Sequence, residues 1–528
     1  MKKFFALVLA LALTMSLCAV SLPASADDKP VELKVWILGP GTQADQPEVF
    51  ALFNEKLHET LPNISVDIEI VSGDYKDRFS RAMSAQERLD LAWIGWHHNI
   101  ADEARDGTII ALDDLLEKYG QGIIESLGTE TLDNHRLMDG KIYQLPSWQG
   151  MVGGRSAAYL PSELIEASGV GENWLSETQD IAYDFWADPS VEKQQALFDQ
   201  FALYYQGLVD AGKIYKGMAT ATFTYPGWNG EARKADVCQG GYVRFGDDTF
   251  TIKDGYENEY VKNFYKTMAE FYDKGYIRSD IASAASTATW DDGLDDQDIV
   301  TNAHNAWTDD YGKKLEKNYG FPCEVVYNSK TNLYNLGRAT GMCIPYTSEY
   351  PEEAMTFLNE VYVNAPLYQL LIYGEEGKHW VEDNDDDHSI TVLGGASQPT
   401  SDFAYGLWCW TIGTCENVRL TQNLANDPSW YAELKELEKT AYSSPLLNFS
   451  YDKTNYEAEV ANLAAISKEY GDALGKGYLG AAGWEAHYNK MLDELKANGV
   501  EDVRADCQEQ LNQYLKDRGV TAWNYDGQ

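Results

Sequence analysis

The order of the first periodic segments constrains the fold more than any other feature of this chain. Residues 31–38 have the pattern of a strand, and an amphipathic helix with apolar residues at helical spacing follows over 47–60. An alternating strand over 64–71, a second helix over 75–87 and an apolar strand over 89–94 come next. Strands and helices alternating in this order predict a parallel sheet covered by helices, which is an α/β fold.

Sheets of this kind bind their ligands in the loops that follow the carboxyl ends of the strands. Here those loops are residues 39–43 and 95–99. With 528 residues, the chain is longer than a single core usually holds, so we expect two or more lobes. From about Tyr431 to the end the pattern is mainly helical.

The first 26 residues have the pattern of a secretory signal peptide. Lys2 and Lys3 precede an apolar run over 4–13, and residues 24–26 form a small-residue cleavage site. No later stretch is long and apolar enough to cross a bilayer. The mature chain is therefore predicted to begin near Asp27 and to work outside the cytoplasmic membrane.

Cysteine positions leave the chain's redox chemistry open. Cys18 is a potential lipid anchor, but Leu17 stands before it where a lipoprotein has a small residue, so plain secretion is favoured. After the signal the cysteines are irregularly spaced, and only Cys409 and Cys415 lie close along the chain. One disulfide and buried thiols are equally compatible with this spacing.

The chain is strongly acidic, with 83 Asp and Glu against 42 Lys and Arg and a formal net charge of −41. Such a chain repels phosphate backbones and anionic lipids, so neither nucleic acid nor a membrane surface is an expected partner. Adjacent His97 and His98 point apart on a helix or a strand, and no cysteine spacing indicates zinc, so no metal is expected. The sequence also lacks a nucleophile elbow, a phosphate loop and a zinc-protease motif.

Several aromatic residues lie in turn-rich or strand-end segments beside Gly, Pro, Asn or Asp. Flat aromatic faces stack on the C–H faces of sugars, while polar side chains bond the hydroxyl rim. One such tryptophan more often packs in a core, but a set outside periodic segments indicates a binding surface. Trp93 lies inside a predicted strand and is assigned to the core. The set is Trp96, Trp148, Tyr225, Trp228, Trp307, Trp408 and Trp410.

Segments along almost the whole mature chain resemble extracellular solute-binding proteins of ABC importers, of the sugar-binding type. In the first half they are DLAWIGWHHNIADEARDGTIIALDDLLEKYG at 90–120 and DGKIYQLP at 139–146. In the second half they are GMCIPYTSEYPEEAMTFLNEVY at 341–362 and YGEEGKHW at 373–380, the latter typical of a long subfamily. That subfamily has a helical C-terminal domain, which residues 448–477 resemble.

The resemblance implies a periplasmic-binding-protein fold, in which two α/β lobes joined by a hinge of three crossings carry a helical C-terminal extension. The predicted N-terminal lobe combines 27–148 with 302–343. The predicted C-terminal lobe combines 149–301 with 344–415, and the helical region 416–528 packs on it. Residues 173–207 have no counterpart in this scheme.

The resemblance also implies which residues contact the ligand. By position in the family, the contacts fall in the first lobe, in the second lobe and at the hinge. They are Gln43, Trp96, His97, Asn99 and Trp307 in the first lobe, Tyr225, Trp228 and Trp408 in the second, and Trp148 and Gln149 at the hinge.

The function implied is capture of a carbohydrate, an oligosaccharide in particular, and its delivery to the permease subunits of an ABC importer. The protein would be a monomer without catalysis and without a cofactor. A secreted carbohydrate-active enzyme is the main alternative, because it would also expose aromatic residues. A peptide receptor would need charged anchors and a metal receptor three clustered ligands, and neither is visible in the sequence.

Overall fold

The structure, a computed structural model, describes most of the chain after the predicted signal peptide. The described residues are 29–153, 155–213, 221–224, 227–283, 302–306, 308–313, 316, 321–334, 338–383, 389–394, 399–421 and 427–525. Tyr225, Trp307, Cys18 and the predicted signal peptide therefore lie outside the described residues. Within these ranges no helix is long and apolar enough to span a membrane.

The strands and helices alternate along the first half of the chain, and helices dominate its end. The strands are β1 Val31–Leu38, β2 Ile64–Val71, β3 Leu91–Gly95, β4 Leu145–Pro146, β5 Val152–Gly153, β6 Ser156–Pro161, β7 Lys234–Cys238, β8 Gly241–Arg244, β9 Lys253–Asp254, β10 Asn302–Asn305, β11 Cys323–Tyr327, β12 Leu333–Tyr334, β13 Thr340–Cys343, β14 Trp380–Glu382 and β15 Ile390–Val392. The helices are α1 Gln46–Leu57, α2 Tyr75–Ser84, α3 Ile100–Arg105, α4 Asp113–Tyr119, α5 Gln121–Leu127, α6 Thr129–His135, α7 Ser162–Ser168, α8 Trp174–Ala187, α9 Val191–Asp210, α10 Ala221–Thr224, α11 Glu259–Asp273, α12 Pro351–Val363, α13 Ala365–Tyr373, α14 Pro428–Glu438, α15 Glu457–Gly475, α16 Gly480–Ala497 and α17 Val500–Arg518.

The first lobe is built on a five-stranded sheet with the order β2-β1-β3-β13-β4. β1 pairs in parallel with β2 and β3, as the periodicity predicts, whereas β13 is antiparallel to β3. α1 and α2 connect these strands and bury Phe53 and Phe79 completely. The parallel strands place the loops after β1 and β3 at one edge of the sheet, where α/β sheets bind ligands.

The second lobe is built around β6, which pairs antiparallel with β10 on one side and β11 on the other. A buried aromatic core packs between this sheet and helices α8, α9 and α11. Residues 173–207, unassigned from the sequence, supply most of α8 and α9. Trp174 of α8 stacks on Tyr204 of α9 with ring centroids 5.4 Å apart.

Three chain crossings lie side by side between the lobes. β5 pairs antiparallel with β12, and Leu333 of β12 bridges in parallel to Tyr442. The backbone N–H of Tyr334 donates to the carbonyl oxygen of Tyr442 at 2.8 Å. The N–H of Tyr442 in turn donates to the carbonyl oxygen of Asn332 at 2.9 Å. These crossings form the hinge.

The structure divides the chain between the lobes differently from the predicted boundaries. β10 and β11, placed in the first lobe with segment 302–343, pair with β6 of the second. Segment 344–415, placed in the second lobe, packs through α12 and α13 into the core of the first. The first lobe therefore comprises about 29–151 with 340–421. Strand pairing keeps β10 and β11 in the second lobe, so the chain returns to the first lobe only after Leu333, where the second crossing lies.

The C-terminal helices form a small bundle that contacts both lobes. α15, α16 and α17 share a core with α11 and β7 of the second lobe. At the start of this region Asp452 accepts a salt bridge from Arg105 at 3.2 Å, and Lys453 Nζ lies 2.6 Å from Asp102. Asp102 and Arg105 belong to α3 of the first lobe, so the bundle touches the first lobe next to the loop after β3.

Candidate functional site

A segment that we call the strap, residues 399–421, lies across the carboxyl ends of the first-lobe strands. Gln43, in the loop after β1, donates its Nε2 to the carbonyl oxygen of Thr400 at 2.8 Å, and its Oε1 accepts from the N–H of Gly406 at 3.0 Å. At the other end of the strap, the N–H of Trp148 donates to Gly413 at 3.0 Å. The strap is thus fixed to the same sheet edge where the sequence predicted a ligand site.

The strap and the loop after β3 together present three indole rings, which we call the aromatic platform: Trp96, Trp410 and Trp408. Trp410 stacks on Trp408 with ring centroids 5.1 Å apart and planes 15° from parallel. The Trp96 ring lies 5.5 Å from that of Trp410 and is tilted by 50° to it. Trp96 is 51% exposed, and the other two rings are half-buried. Aromatic rings exposed at such an edge can stack with the apolar faces of sugar rings.

The aromatic platform rests on a buried hydrogen-bond chain. Trp93 is fully buried, as predicted, and packs edge-on against Trp96 with centroids 4.9 Å apart. Its Nε1 donates to Oγ1 of Thr340 at 2.7 Å, and that hydroxyl donates to the carbonyl oxygen of Trp410 at 2.9 Å. The chain links β3, β13 and the strap, so the position of Trp410 is set by the sheet.

Gly95 makes the close approach beneath the aromatic platform possible. A Cβ at this position would lie 2.2 Å from the carbonyl oxygen of Ala339 and 2.3 Å from the Trp93 ring.

We expect Gly95→Ala to lower the free energy of unfolding by about 1–3 kcal/mol, as overpacking in cores does. Urea melts would measure this, with Gly107→Ala as a control for the loss of a glycine, because nothing lies within 4 Å of a Cβ there. Gly107 has a positive φ of 71°, so Gly107→Ala has a backbone cost of its own. If Gly95→Ala lowered the free energy of unfolding by no more than Gly107→Ala does, the crowding at Gly95 would be contradicted.

Two of the predicted ligand contacts, His97 and Asn99, flank the aromatic platform. His97 is exposed, and its ring lies 5.0 Å from that of Trp96. Partial burial and nearby Lys76 lower the pKa of His97, which keeps the ring neutral and able to both donate and accept. Asn99 is also exposed, but its Oδ1 caps α3 by accepting from the N–H of Ala101 at 3.1 Å. Its amide nitrogen is the group left to face a ligand.

The structure places other predicted contacts in the protein interior. Gln43 is 3% exposed, and both of its amide atoms bond the strap. Trp148 is 2% exposed and packs against Tyr431 and the ammonium of Lys435. Trp228 is 1% exposed within the second-lobe core. The assignment of these three residues to ligand contact is therefore wrong for this conformation, because tertiary packing buries them.

The remaining predicted contacts stay predictions, and two of them lie among the described residues. Trp408 lies in the aromatic platform, but in the first lobe rather than the second. Gln149 is half-buried next to the hinge. Tyr225 and Trp307 lie outside the described residues and stay predictions. Trp410 belongs to the aromatic set identified in the sequence but is absent from the contacts that the resemblance implies, although its spacing of two from Trp408 in WCW indicates a shared face.

The second lobe presents a polar edge toward the hinge. The carboxyl ends of β10 and β11 both lie beside the start of β6, where the chain enters from the first crossing. There the guanidinium of Arg155, almost fully buried, lies 4.3 Å above the Tyr327 ring and donates to Asp309 at 2.6 Å. The side chain of Asp309 is 91% exposed, so its carboxylate can accept further hydrogen bonds.

A buried histidine lies behind the aromatic platform. His98 is surrounded by Tyr75, Phe79 and Trp93, and neither ring nitrogen has a hydrogen-bond partner among the described residues. Burial lowers the pKa of His98 to about 4, from an ordinary value near 6.5. Between these values the unfolded chain binds a proton that the folded chain does not, so stability falls as the pH drops from 6.5 to 4.

We expect His98 to cost about 2 kcal/mol of folding stability at pH 5 relative to pH 8. His98→Phe should remove this cost, because phenylalanine suits the aromatic cage and cannot be protonated. Denaturant melts of the wild type and the variant at both pH values measure it. Equal losses in the two proteins on going to pH 5 would contradict the assignment.

The donor groups needed for a metal do not converge in the part of the chain that the structure describes. No group of three or more His, Cys, Asp or Glu side chains there is arranged to hold an ion. The site is therefore described by stacking surfaces and hydrogen-bonding groups alone.

The architecture is a periplasmic-binding-protein fold: two α/β lobes, three crossings and a helical C-terminal region. Residues 445–516 match a family described as a domain of unknown function, DUF3502. Over 514 residues the chain is 25% identical to a carbohydrate ABC transporter substrate-binding protein of Streptococcus pneumoniae serotype 4 (strain ATCC BAA-334 / TIGR4), covering 94% of this chain and 93% of that protein.

Solved structures show the same fold. The chain resembles the N-glycan transport solute-binding protein NgtS of Streptococcus pneumoniae with a TM-score of 0.70 and 20% identity, over 93% of this chain and all of that one. It also resembles a solute-binding protein of Bifidobacterium longum infantis ATCC 15697, described as binding HMO, with a TM-score of 0.53 and 14% identity over 93% and 99% of the two chains. The predicted fold and the predicted resemblance to sugar-type solute-binding proteins are confirmed.

Proposed function

We propose that this protein is the extracellular substrate-binding component of an ABC importer, that it captures an oligosaccharide and that it delivers it to membrane permease subunits. The observation that carries the proposal is the aromatic platform at the carboxyl edge of the first-lobe sheet. An indole exposed at such an edge keeps apolar surface in contact with water, which is unfavourable unless a ligand covers it.

The shape of the aromatic platform favours a ligand of more than one sugar ring. Three neighbouring indoles, with centroid separations of 5.5 and 5.1 Å, come from both the loop after β3 and the strap and offer a ligand more than one aromatic group. His97 and the amide of Asn99 lie at one end and supply donors and acceptors for hydroxyl groups. The relatives named as carbohydrate-binding support the same ligand class.

Closure of the two lobes would complete the site. A hinge closes on a ligand only when the ligand gains contacts in the closed form that it lacks in the open one. Asp309, at the hinge-facing edge of the second lobe, is the group we assign to this second set of contacts, and Trp307, two residues earlier in the sequence, stays a predicted contact.

A secreted carbohydrate-active enzyme is the competing function. Such an enzyme would pair two carboxyl groups across a sugar site at a separation suited to acid and base roles. Near the aromatic platform the described acidic side chains Asp102 and Glu103 are engaged instead, Asp102 with Lys453 and Glu103 with Thr108. The relatives are named as transporter proteins and not as enzymes.

A ligand screen tests the proposal. We expect neutral oligosaccharides of two or more rings to raise the melting temperature of the mature protein, since a ligand that binds only the folded state stabilises it. Peptides and divalent metals should leave it unchanged. Chromatography of the incubated sugars checks for turnover, and hydrolysis above background would establish the enzyme instead.

Export is the part of the proposal that concerns the N-terminus. Mass spectrometry of the mature protein should find a chain that begins at Asp27 without modification. A diacylated Cys18 would instead show that the protein is anchored to the membrane.

A further inference from the structure

Four of the six cysteines that follow the predicted signal peptide lie in two neighbouring pairs. Cys409 and Cys415, both buried in the strap, have their sulfur atoms 3.8 Å apart. Cys238 of β7 and Cys507 of α17 are separated by more than half of the chain, yet they lie in the same cluster, with Cys507 Sγ 3.8 Å from the carbonyl oxygen of Val237, the chain neighbour of Cys238. Sequence spacing drew attention only to the first pair.

We propose that both pairs are disulfide bonds in the exported protein, with the links Cys409–Cys415 and Cys238–Cys507. This inference rests on the export part of the proposed function, because disulfides persist in oxidising compartments outside the cytoplasm. It does not depend on the identity of the ligand. Cys323 and Cys343 stay thiols, since they lie in β11 and β13, strands of two different sheets.

The surroundings of Cys238 suit a cross-link to the C-terminal bundle. Gly241 lies opposite, where a Cβ would come within 2.7 Å of the Cys238 sulfur, so its missing side chain leaves room for that atom. Cys507 Sγ lies 3.8 Å from the carbonyl oxygen of Val237, next to Cys238 in the chain. Because Cys238 is half-buried and Cys507 buried, Cys238 is the thiol that an external oxidant reaches first.

The strap pair differs because both sulfurs are enclosed. The Cys415 thiol donates to the Cys409 sulfur, and this hydrogen bond lowers the pKa of Cys409, while burial raises the pKa of Cys415. Cys409 is therefore the better nucleophile of the two. Because Cys409 is buried in the folded protein, it must be oxidised during folding, before the strap closes over the sheet edge.

The oxidant is a low-molecular-weight disulfide or a thiol–disulfide oxidoreductase. One protein thiolate attacks a sulfur of the oxidant's disulfide, that bond breaks, and a thiol of the oxidant leaves with the released proton. The second protein thiolate then attacks the mixed disulfide, forms the protein S–S bond and releases the second oxidant thiol. The protein loses two electrons and two protons for each link, and one oxidant disulfide is reduced to two thiols.

The two links would have different effects. Cys238–Cys507 closes a very long loop and ties the hairpin of β7 and β8 to the last helix, so it restricts the unfolded chain strongly. Cys409–Cys415 closes a short loop whose first residue lies between Trp408 and Trp410. The second link therefore stabilises the shape of the aromatic platform more than the fold as a whole.

Counting thiols tests the proposal. The full mature chain is equilibrated with oxidised and reduced glutathione, denatured, alkylated without a reductant and weighed by mass spectrometry. We expect two alkylated cysteines, rising to six after reduction, and proteolytic peptides linked as Cys409–Cys415 and Cys238–Cys507. Six alkylated cysteines before reduction, or links other than these two, would overturn the proposal, and a single link would overturn the assignment of the missing one.

Variants separate the two links by readouts that involve no sugar. Dithiothreitol should lower the melting temperature of the wild type and of Cys323→Ser, the matched control, by several degrees. In Cys507→Ser most of this response should vanish. Reduction should also shift the tryptophan emission of the wild type but not of Cys415→Ser. The same melting response in Cys507→Ser as in the wild type would refute the long-range link, and an unchanged emission in the wild type would refute the role of the strap link.

Discussion

Trp410→Ala is expected to raise the dissociation constant for the bound oligosaccharide roughly 30- to 150-fold, a loss of about 2–3 kcal/mol. Trp410 is the central ring of the aromatic platform and contacts both Trp96 and Trp408, so its removal interrupts the stacking surface at its midpoint. Because the ring is half-buried, part of the effect comes from neighbours that lose their support. Titration calorimetry with the best ligand from the screen measures the change.

Trp380→Ala is the matched control for Trp410→Ala. Trp380 is another half-buried tryptophan of the first lobe, but it lies in β14 beneath the guanidinium of Arg419, at 4.8 Å, and outside the aromatic platform. We expect its removal to leave the affinity within about twofold of the wild type. Equal losses in the two variants would show that the aromatic platform is not the binding surface.

Trp228→Ala is expected to cost about 3–5 kcal/mol of folding stability, as deletion of a large core side chain does. The ring is 1% exposed and packs against Phe201 and Phe223, with centroids 5.6 and 6.2 Å away. The sequence-based prediction placed Trp228 against the ligand, whereas the structure places it in the second-lobe core. Denaturant melts of the ligand-free protein measure the loss.

Trp96→Ala provides the opposite case. Because Trp96 is 51% exposed, its removal should change the stability of the ligand-free protein by less than about 1 kcal/mol while weakening sugar binding. If Trp228→Ala left stability intact and weakened binding more than Trp96→Ala did, the original sequence-based assignment would be right and the structural one wrong.

The opening of the fold was predictable because its signals are local. β1, β2 and β3 with α1 and α2 follow from apolar periodicity that the residues themselves display. β10 and β11 were assigned to the wrong lobe because each is short, and which sheet a short strand joins depends on pairing with β6 some 150 residues away. That pairing leaves no local mark in the sequence.

The aromatic character of the candidate site was predictable from the sequence, but the exposure of each residue was not. Trp228 and Trp148 follow turn-forming residues, as exposed tryptophans often do, but helices distant in sequence cover them in the folded protein. Gln43 has the polar side chain expected in a ligand loop, yet the strap, some 360 residues later, uses both of its amide atoms. Trp96 lies exposed at the sheet edge, as the sequence predicted, because the end of a parallel strand fixes where its loop lies.

The hinge of three adjacent crossings has a mechanical consequence. β5, β12 and the strand-like segment at Tyr442 form a hydrogen-bonded ribbon, and a ribbon bends across its face more readily than it shears or twists in its plane. Rotation of the lobes is thereby restricted to about one axis. A closing movement of the kind proposed above would return Asp309 and the aromatic platform to the same relative orientation, so little entropy would be lost in finding that alignment when a ligand binds.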